Sequence, residues 1–221
     1  MKTYRDIICE CPLFEGISET NIVSLLKCLK ARTKTFQKNE VIFREGDRPE
    51  YVGIVLYGRV HIVQDDFWGN RSILASVMSG DLFGEAISCA ESDSFPVSAI
   101  ALSTTTVLMI NYRQIITTCS SACVFHTSLI RNMLKILATK NLGLTRKIEH
   151  ITKKTTREKV LSYLSEQALL AHSDNFQIPF NRQELADYLS VERSALSSTL
   201  SKMQEEGLIT FHKHSFSLIK K

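Results

Sequence analysis

The stretch NRQELADYLSVERSALSSTLSKMQEEGLI, residues 181–209, leaves the chain little conformational choice. Asn181 is a favoured helix N-cap, and Glu184 three residues on completes a capping-box-like pair. Leu185, Ala186 and Leu189 then make one inner face, and Ser190-Val191 supplies a turn. The next helix turns Ala195, Leu196, Thr199, Leu200 and Met203 inward by its 3.6-residue period. Glu192, Arg193, Ser194, Ser197, Ser198 and Lys202 are left on its outer face. Small hydroxyl side chains let a helix sink into a major groove, where arginine can fork onto guanine and lysine can meet phosphate. Beyond Gly207, Leu208 to Phe211 and Phe216 to Ile219 read as a hairpin tipped by His212-Lys213-His214-Ser215, with Lys213 placed to meet a nucleic-acid backbone. A bland amphipathic helix pair would reproduce parts of this pattern. It would not require caps, turn, two faces and hairpin together.

The preceding helical text carries a second constraint. Ile130, Leu134, Leu137, Asn141, Leu144, Ile148 and Ile151 recur at steps of four and three, a heptad seam over about three repeats. With Leu134, Asn141 and Ile148 as a positions, two asparagines facing one another across a parallel pair would fix register and two-strandedness. The expectation is a parallel homodimer; a helix packed on its own domain, with Asn141 at the rim, is the plainer alternative. His150-Ile-Thr-Lys-Lys-Thr-Thr156 breaks the seam and marks a boundary, after which a helix from Arg157 to Ala171 and a short strand near Phe176 lead into the capped pair.

Before Tyr112 the pattern is different. A short helix from Ser18 to Leu29 precedes segments rich in Val, Ile, Phe and Thr from Lys34 to Ile110. Turn signals at Lys38-Asn39, Glu45-Gly46-Asp47, Tyr57-Gly58, Trp68-Gly69-Asn70 and Ser79-Gly80-Asp81 punctuate them about every ten residues. That rhythm predicts a barrel or sandwich of short strands. Charge divides the same way: residues 1–115 hold 12 Lys and Arg against 14 Asp and Glu, whereas residues 116–221 hold 15 against 9. The second half is suited to a polyanion, although a solvated basic face would look the same. No apolar run approaches the roughly 18 residues that span a bilayer, and Arg5, Asp6 and Glu10 stand where a secretory signal would be apolar. A cytoplasmic protein with no membrane partner is expected.

Cys11-Pro-Leu-Phe-Glu-Gly-Ile17, Val41-Ile-Phe-Arg-Glu-Gly-Asp47, Tyr57-Gly-Arg-Val60, Gly80-Asp-Leu-Phe-Gly-Glu85, the heptad helix and Arg182-Gln-Glu-Leu-Ala186 together resemble the Crp/Fnr family of transcription regulators over essentially the whole length. The resemblance implies an α+β chain. Residues 1–118 form an effector-sensing β-roll (a double-stranded β-helix of cyclic-nucleotide-binding type) with an N-terminal helix, 119–152 a long dimerisation helix, and 153–221 a winged helix-turn-helix. It also implies a bacterial-type regulator, a homodimer that binds a near-palindromic duplex and works with RNA polymerase. Arg182, Gln183, Glu192, Arg193, Ser194, Ser197, Ser198, Lys202 and Lys213 would be its DNA-binding residues, and Ile130, Leu134, Leu137, Asn141, Leu144 and Ile148 its dimer interface.

Departures from the family pattern narrow these expectations. Members that read the best-known half-sites carry an acidic residue and an arginine where this chain has Ser194 and Ser198. Losing the arginine removes a guanine contact worth roughly 1–3 kcal/mol of discrimination. Glu192 stands where Ser or Thr commonly caps the recognition helix, and is the weaker cap. In cyclic-nucleotide members a Gly-Glu pair holds the ribose and an Arg-Ser pair the phosphate. Here Gly84, Glu85 and Ser98 remain, but Val97 replaces the arginine, and burying a phosphodiester without countercharge costs several kcal/mol. The pocket therefore points to a small-molecule effector other than cyclic AMP, of unknown identity, or to a structural turn.

Six cysteines, at 9, 11, 28, 89, 119 and 123, read as free thiols, redox sensors or ligands rather than a disulfide framework. Cys9-x-Cys11 with a distant Cys28 fits iron–sulfur ligation poorly. Cys119, Cys123 and His126 share one helical face and are weak candidates for zinc, iron or haem, against the plainer reading of small buried thiols. Two rival functions remain open. A cupin-like metal-dependent enzyme needs a His-x-His and Glu set on facing strands, where this chain offers His61; a ligand-sensing regulatory subunit that does not bind DNA would have no use for the Ser/Arg helix.

Overall fold

The computed structural model describes residues 3–68, 71–117 and 124–219. The chain divides into two compact units, Met1–Ala138 and Thr139–Lys221, the division falling inside one long helix.

In the first unit α1 (Tyr4–Glu10) starts from a capping box: Thr3 Oγ1 accepts from the Asp6 amide and the Asp6 carboxylate accepts from the Thr3 amide. A 3-10 turn (Pro12–Phe14) leads to α2 (Glu19–Cys28). Ser18 stands at its N-cap, but its hydroxyl accepts from the Asn21 side chain at 2.7 Å and caps no backbone amide. Strands β1 (Arg32–Phe36), β2 (Val41–Phe43), β3 (Tyr51–Tyr57), β4 (Val60–Asp65), β5 (Arg71–Val77), β6 (Leu82–Phe83), β7 (Ser98–Ala101) and β8 (Thr105–Asn111) form two antiparallel four-stranded sheets, ordered β1-β8-β3-β6 and β2-β7-β4-β5. Helix α3 (Glu85–Cys89) follows β6 and α4 (Tyr112–Ile116) follows β8.

Strand β3 explains how this arrangement is held. All five residues from Val52 to Leu56 are buried, because the strand is covered on both faces. Side chains alternate across a strand, so Val52, Ile54 and Leu56 join a core with Leu13, Phe14, Leu25, Leu29 and Ile115. Val55 points the other way, into the core that contains Phe36, Phe43, Phe83, Phe95 and Val107. Between these positions Gly53 is required: a Cβ there would lie 2.4 Å from Phe83 Cζ.

The long helix α5 (Val124–Ile151) contributes to each unit. Near its start Leu129 and Met133 are buried in the first core, and Asn132 Nδ2 donates to the carbonyls of Leu13 (3.0 Å) and Glu15 (2.9 Å). In the second unit α6 (Thr156–Ala171), β9 (Asn175–Gln177), α7 (Arg182–Leu189), α8 (Arg193–Glu205), β10 (Ile209–His212) and β11 (Ser215–Leu218) follow it, and its last turns meet α6 and α7. Helix α6 opens with another capping box, Thr155 with Glu158. The three short strands make an antiparallel sheet in the order β10-β11-β9.

Replacing Gly53 by Ala should force the buried Phe83 ring to move and lower the stability of the first unit by about 1–3 kcal/mol, the usual cost of overpacking. A matching fall in the urea midpoint, followed by circular dichroism, checks this.

Candidate nucleic-acid interface

The α7–α8 pair is locked by local chemistry. Asn181 Oδ1 accepts from the amides of Gln183 (2.9 Å) and Glu184 (3.0 Å), while Glu184 Oε2 accepts from the Asn181 amide at 2.7 Å. Helix α7 ends at Ser190 in the left-handed region (φ 51°), and the Lys159 ammonium donates to the carbonyls of Leu189 (3.3 Å) and Ser190 (3.4 Å). A cation at a helix C-terminus answers both its unpaired carbonyls and its dipole. Helix α8 follows with Leu196, Leu200 and Met203 buried against Leu185, Ala186 and Leu189.

The inner stripe of α8 is narrower than its sequence period suggests. Ala195 is exposed and Thr199 is half-buried, its hydroxyl donating back to the Ala195 carbonyl at 2.8 Å. Only positions at steps of four and three from Leu196 meet the neighbouring helices. Glu192, Arg193, Ser194, Ser197, Ser198 and Lys202 are all exposed, and Ser201 joins them. Glu192 stands at the N-cap without a side-chain cap bond. Lys213 is exposed in the hairpin turn with φ 54°. His214 Nδ1–H donates to the Phe180 carbonyl at 3.0 Å, tying that turn to the loop before α7.

Two predicted contact residues have other partners. The Arg182 guanidinium lies over the rings of Phe211 (4.5 Å) and Phe216 (5.4 Å), which couples the start of α7 to the hairpin; burial lowers its pKa from the ordinary arginine value. The exposed Gln183 amide donates to Asp187 Oδ1 at 2.9 Å. Neither Lys159 nor the Arg182 stack was legible as part of this unit, since each depends on tertiary neighbours far along the chain.

Along α5, Leu134, Leu144 and Ile148 are 62 %, 63 % and 56 % exposed, Asn141 is exposed, and Ile130 and Leu137 are half-buried. The Thr145 hydroxyl donates to the Asn141 carbonyl at 3.0 Å.

In the β-roll, Gly84 (φ 80°) precedes α3, and a Cβ there would lie 2.9 Å from Phe43 Cε2. Glu85 is 3 % exposed. Val97 and Ser98 are half-buried at the entry to β7, where Ser98 Oγ accepts from the Glu45 amide at 3.0 Å. Phe43, which pairs in register with Ala99, stacks on Phe95 (4.9 Å) and packs on Phe83 (5.2 Å). Phe43, Phe83 and Phe95 are all buried in the core beside Gly84 and β7. Cys119 and Cys123 lie outside the described residues; His126, their proposed partner, is buried, and its Nδ1 has no hydrogen-bond partner among the described residues. Burial pushes the Cys11 thiol up to about 11, so it stays protonated and unreactive at neutral pH. Among the described residues no three His, Cys, Asp or Glu side chains are grouped to hold a metal ion, and no helix is long and apolar enough to cross a membrane.

Residues 33–122 match the family described as cyclic nucleotide-binding domain, and residues 158–220 match the Crp-like helix-turn-helix domain. The chain belongs to the Crp/Fnr family of transcription regulators. It is 24 % identical over 183 residues to the transcriptional activator protein FnrA of Stutzerimonas stutzeri, covering 80 % of this chain and 72 % of that protein. It is 25 % identical over 179 residues to the CRP-like protein Clp of Xanthomonas oryzae pv. oryzae, covering 76 % and 75 %. Among solved structures, the c-di-GMP responsive global regulator CLP of Xanthomonas campestris aligns with a TM-score of 0.56 at 19 % identity over 90 % of this chain and 100 % of that one. DNR of Pseudomonas aeruginosa aligns at 0.51 and 18 % over 100 % and 96 %. At those identities the structures establish the shared fold. The β-roll and the winged unit of this Crp/Fnr regulator thus carry the two matched domains.

Replacing Glu192 by Asp supplies a short acceptor at the uncapped start of α8 and should stabilise the winged unit by about 0.5–1 kcal/mol. Chemical denaturation of the two proteins side by side measures the difference.

Proposed function

We infer that this regulator works as a cytoplasmic homodimer that reads a near-palindromic duplex with two copies of α8 and meets RNA polymerase from its bound site. The observation that carries the reading is the exposed face of α8, where Arg193 and Lys202 flank Ser194, Ser197, Ser198 and Ser201. Serines admit close approach to the groove floor, and arginine near the start of a recognition helix reaches base edges. Arg182 and Gln183, held by Phe211 and Asp187, contribute by positioning more than by direct base reading. Lys213 at the hairpin turn serves a phosphate.

The exposed heptad positions Leu134, Leu144 and Ile148 favour a partner helix over solvent, and the Asn141 side chain between them supplies register. A two-fold pair would present its reading helices about one helical turn apart, roughly 34–36 Å. The β-roll serves as the sensor. Val97, uncharged and half-buried before β7, disfavours a cyclic nucleotide and suits a less charged effector. A ligand that prefers one arrangement of the dimer then strengthens DNA binding by the same factor by which DNA strengthens its own. The wild type selecting a short two-fold sequence from random duplexes, with a gel shift for affinity, tests the whole reading; no selected sequence overturns it.

Two substitutions probe its parts. Arg193→Ala and Ser198→Ala should each cost about 1–3 kcal/mol of discrimination between the selected and a mismatched site while the protein stays dimeric, read out by competition gel shift and sedimentation. Asn141→Leu should keep or raise thermal stability and broaden the oligomer distribution, because the polar pair that rejects other registers is gone; native mass spectrometry counts the species.

A further inference from the structure

His150, in the last turn of α5, is 2 % exposed and bonded on both ring nitrogens. Its Nε2 lies 2.8 Å from Glu166 Oε2 and its Nδ1 2.9 Å from Ser162 Oγ, both on α6. An ionised carboxylate only accepts, so Nε2 carries the proton toward Glu166. One turn earlier, Arg146 Nε forms an ion pair with the other oxygen of Glu166 at 3.2 Å. The imidazole also meets Tyr163 of α6 edge-on at 5.7 Å and Tyr188 of α7 at 6.1 Å, and the Lys147 ammonium lies 5.6 Å over the Tyr188 ring. One face of this turn is thus bolted to α6 and α7, while Leu144 and Ile148 leave another face exposed.

The path continues to the reading helix. Helix α6 packs on α8, with Tyr163 and Leu164 in one core with Leu196, Leu200 and Met203. At its start Arg157 holds Glu206, just past the end of α8, through two hydrogen bonds of 2.8 and 2.5 Å. Every step lies within the second unit, which includes α5 from Thr139 onward.

We propose that His150 is a positioning residue: clamped between Ser162 and Glu166, it fixes the angle between the seam segment of α5 and the reading helix, and so sets the half-site spacing that the dimer accepts. This rests on the dimeric DNA-reading function proposed above. An apolar residue would fill the same space and hold the helices together at equal or greater stability. It would not specify one rotation. Two directional bonds from one ring, with Arg146 as a second anchor on the same carboxylate, admit a single orientation of α5 against α6. In a two-fold pair that orientation is doubled, and one base pair of altered spacing moves and rotates a half-site by about a tenth of a helical turn.

The test uses full-length protein and duplexes built from the sequence the wild type selects: the natural spacing, the same with one base pair inserted or removed between half-sites, and a single half-site. His150→Phe keeps the ring contacts with Tyr163 and Tyr188 and removes both bonds. Ser162→Ala combined with Glu166→Gln weakens the same bonds from the other side, should the first variant fail to fold. The expected result is unchanged single-half-site affinity and thermal stability, with the wild-type preference for natural over altered spacing reduced about tenfold, the loss of one charge-assisted hydrogen bond. Wild-type spacing preference in the variants overturns the assignment. So does an equal loss of half-site and full-site affinity, which marks a purely structural role. A wild type that binds its selected site at every spacing also overturns it while leaving DNA reading intact, whereas a wild type that selects no duplex removes the functional reading first.

Discussion

The anchoring of one long helix in both compact units is the constraint on which the rest of this molecule depends. Leu129 and Met133 of α5 belong to the β-roll core, and Arg146, Lys147 and His150 of the same helix belong to the winged unit. The two ends differ in the chemistry that holds them. The first is mainly apolar, with Asn132 pinning the chain at Leu13 and Glu15; the second is a network of polar groups. Apolar contact tolerates small sliding, whereas the polar network admits one orientation. Between them Gly143 lowers the helix propensity of the middle turns by about 1 kcal/mol relative to alanine.

How far this was legible in the sequence follows the range of the interactions. The Asn181–Glu184 capping box, the left-handed Ser190 turn, the buried Leu196, Leu200 and Met203, and the hairpin around Lys213 all arise between residues a few positions apart. A caption of local rules suffices for them. The capping boxes at Thr3–Asp6 and Thr155–Glu158 are equally local, written in the sequence as Thr-x-x-Asp and Thr-x-x-Glu. The sheet order was beyond reach in detail: β1 pairs with β8 more than sixty residues away, and periodicity does not name partners. Lys159, the Arg182 stack and the His150 clamp share that limit. Each is a charged or titratable side chain whose role exists only once a distant helix or strand has arrived.

The placement of Ala195 shows how a local rule fails. Residues 195 and 199 border the buried line 196, 200 and 203, so a helical period alone admits them to the inner face. Helix α8 is covered by α6 and α7 over a narrow arc, and solvent claims the border positions. The added exposure favours close approach to a groove, since a methyl group at 195 and hydroxyls at 194, 197, 198 and 201 present little bulk.

The β-roll makes the complementary point about inherited geometry. Gly84 keeps its left-handed backbone because a side chain would strike Phe43, a reason independent of any ligand. Ser98 likewise has a structural partner in the Glu45 amide. Both residues of the matched motif therefore have packing roles of their own in this chain.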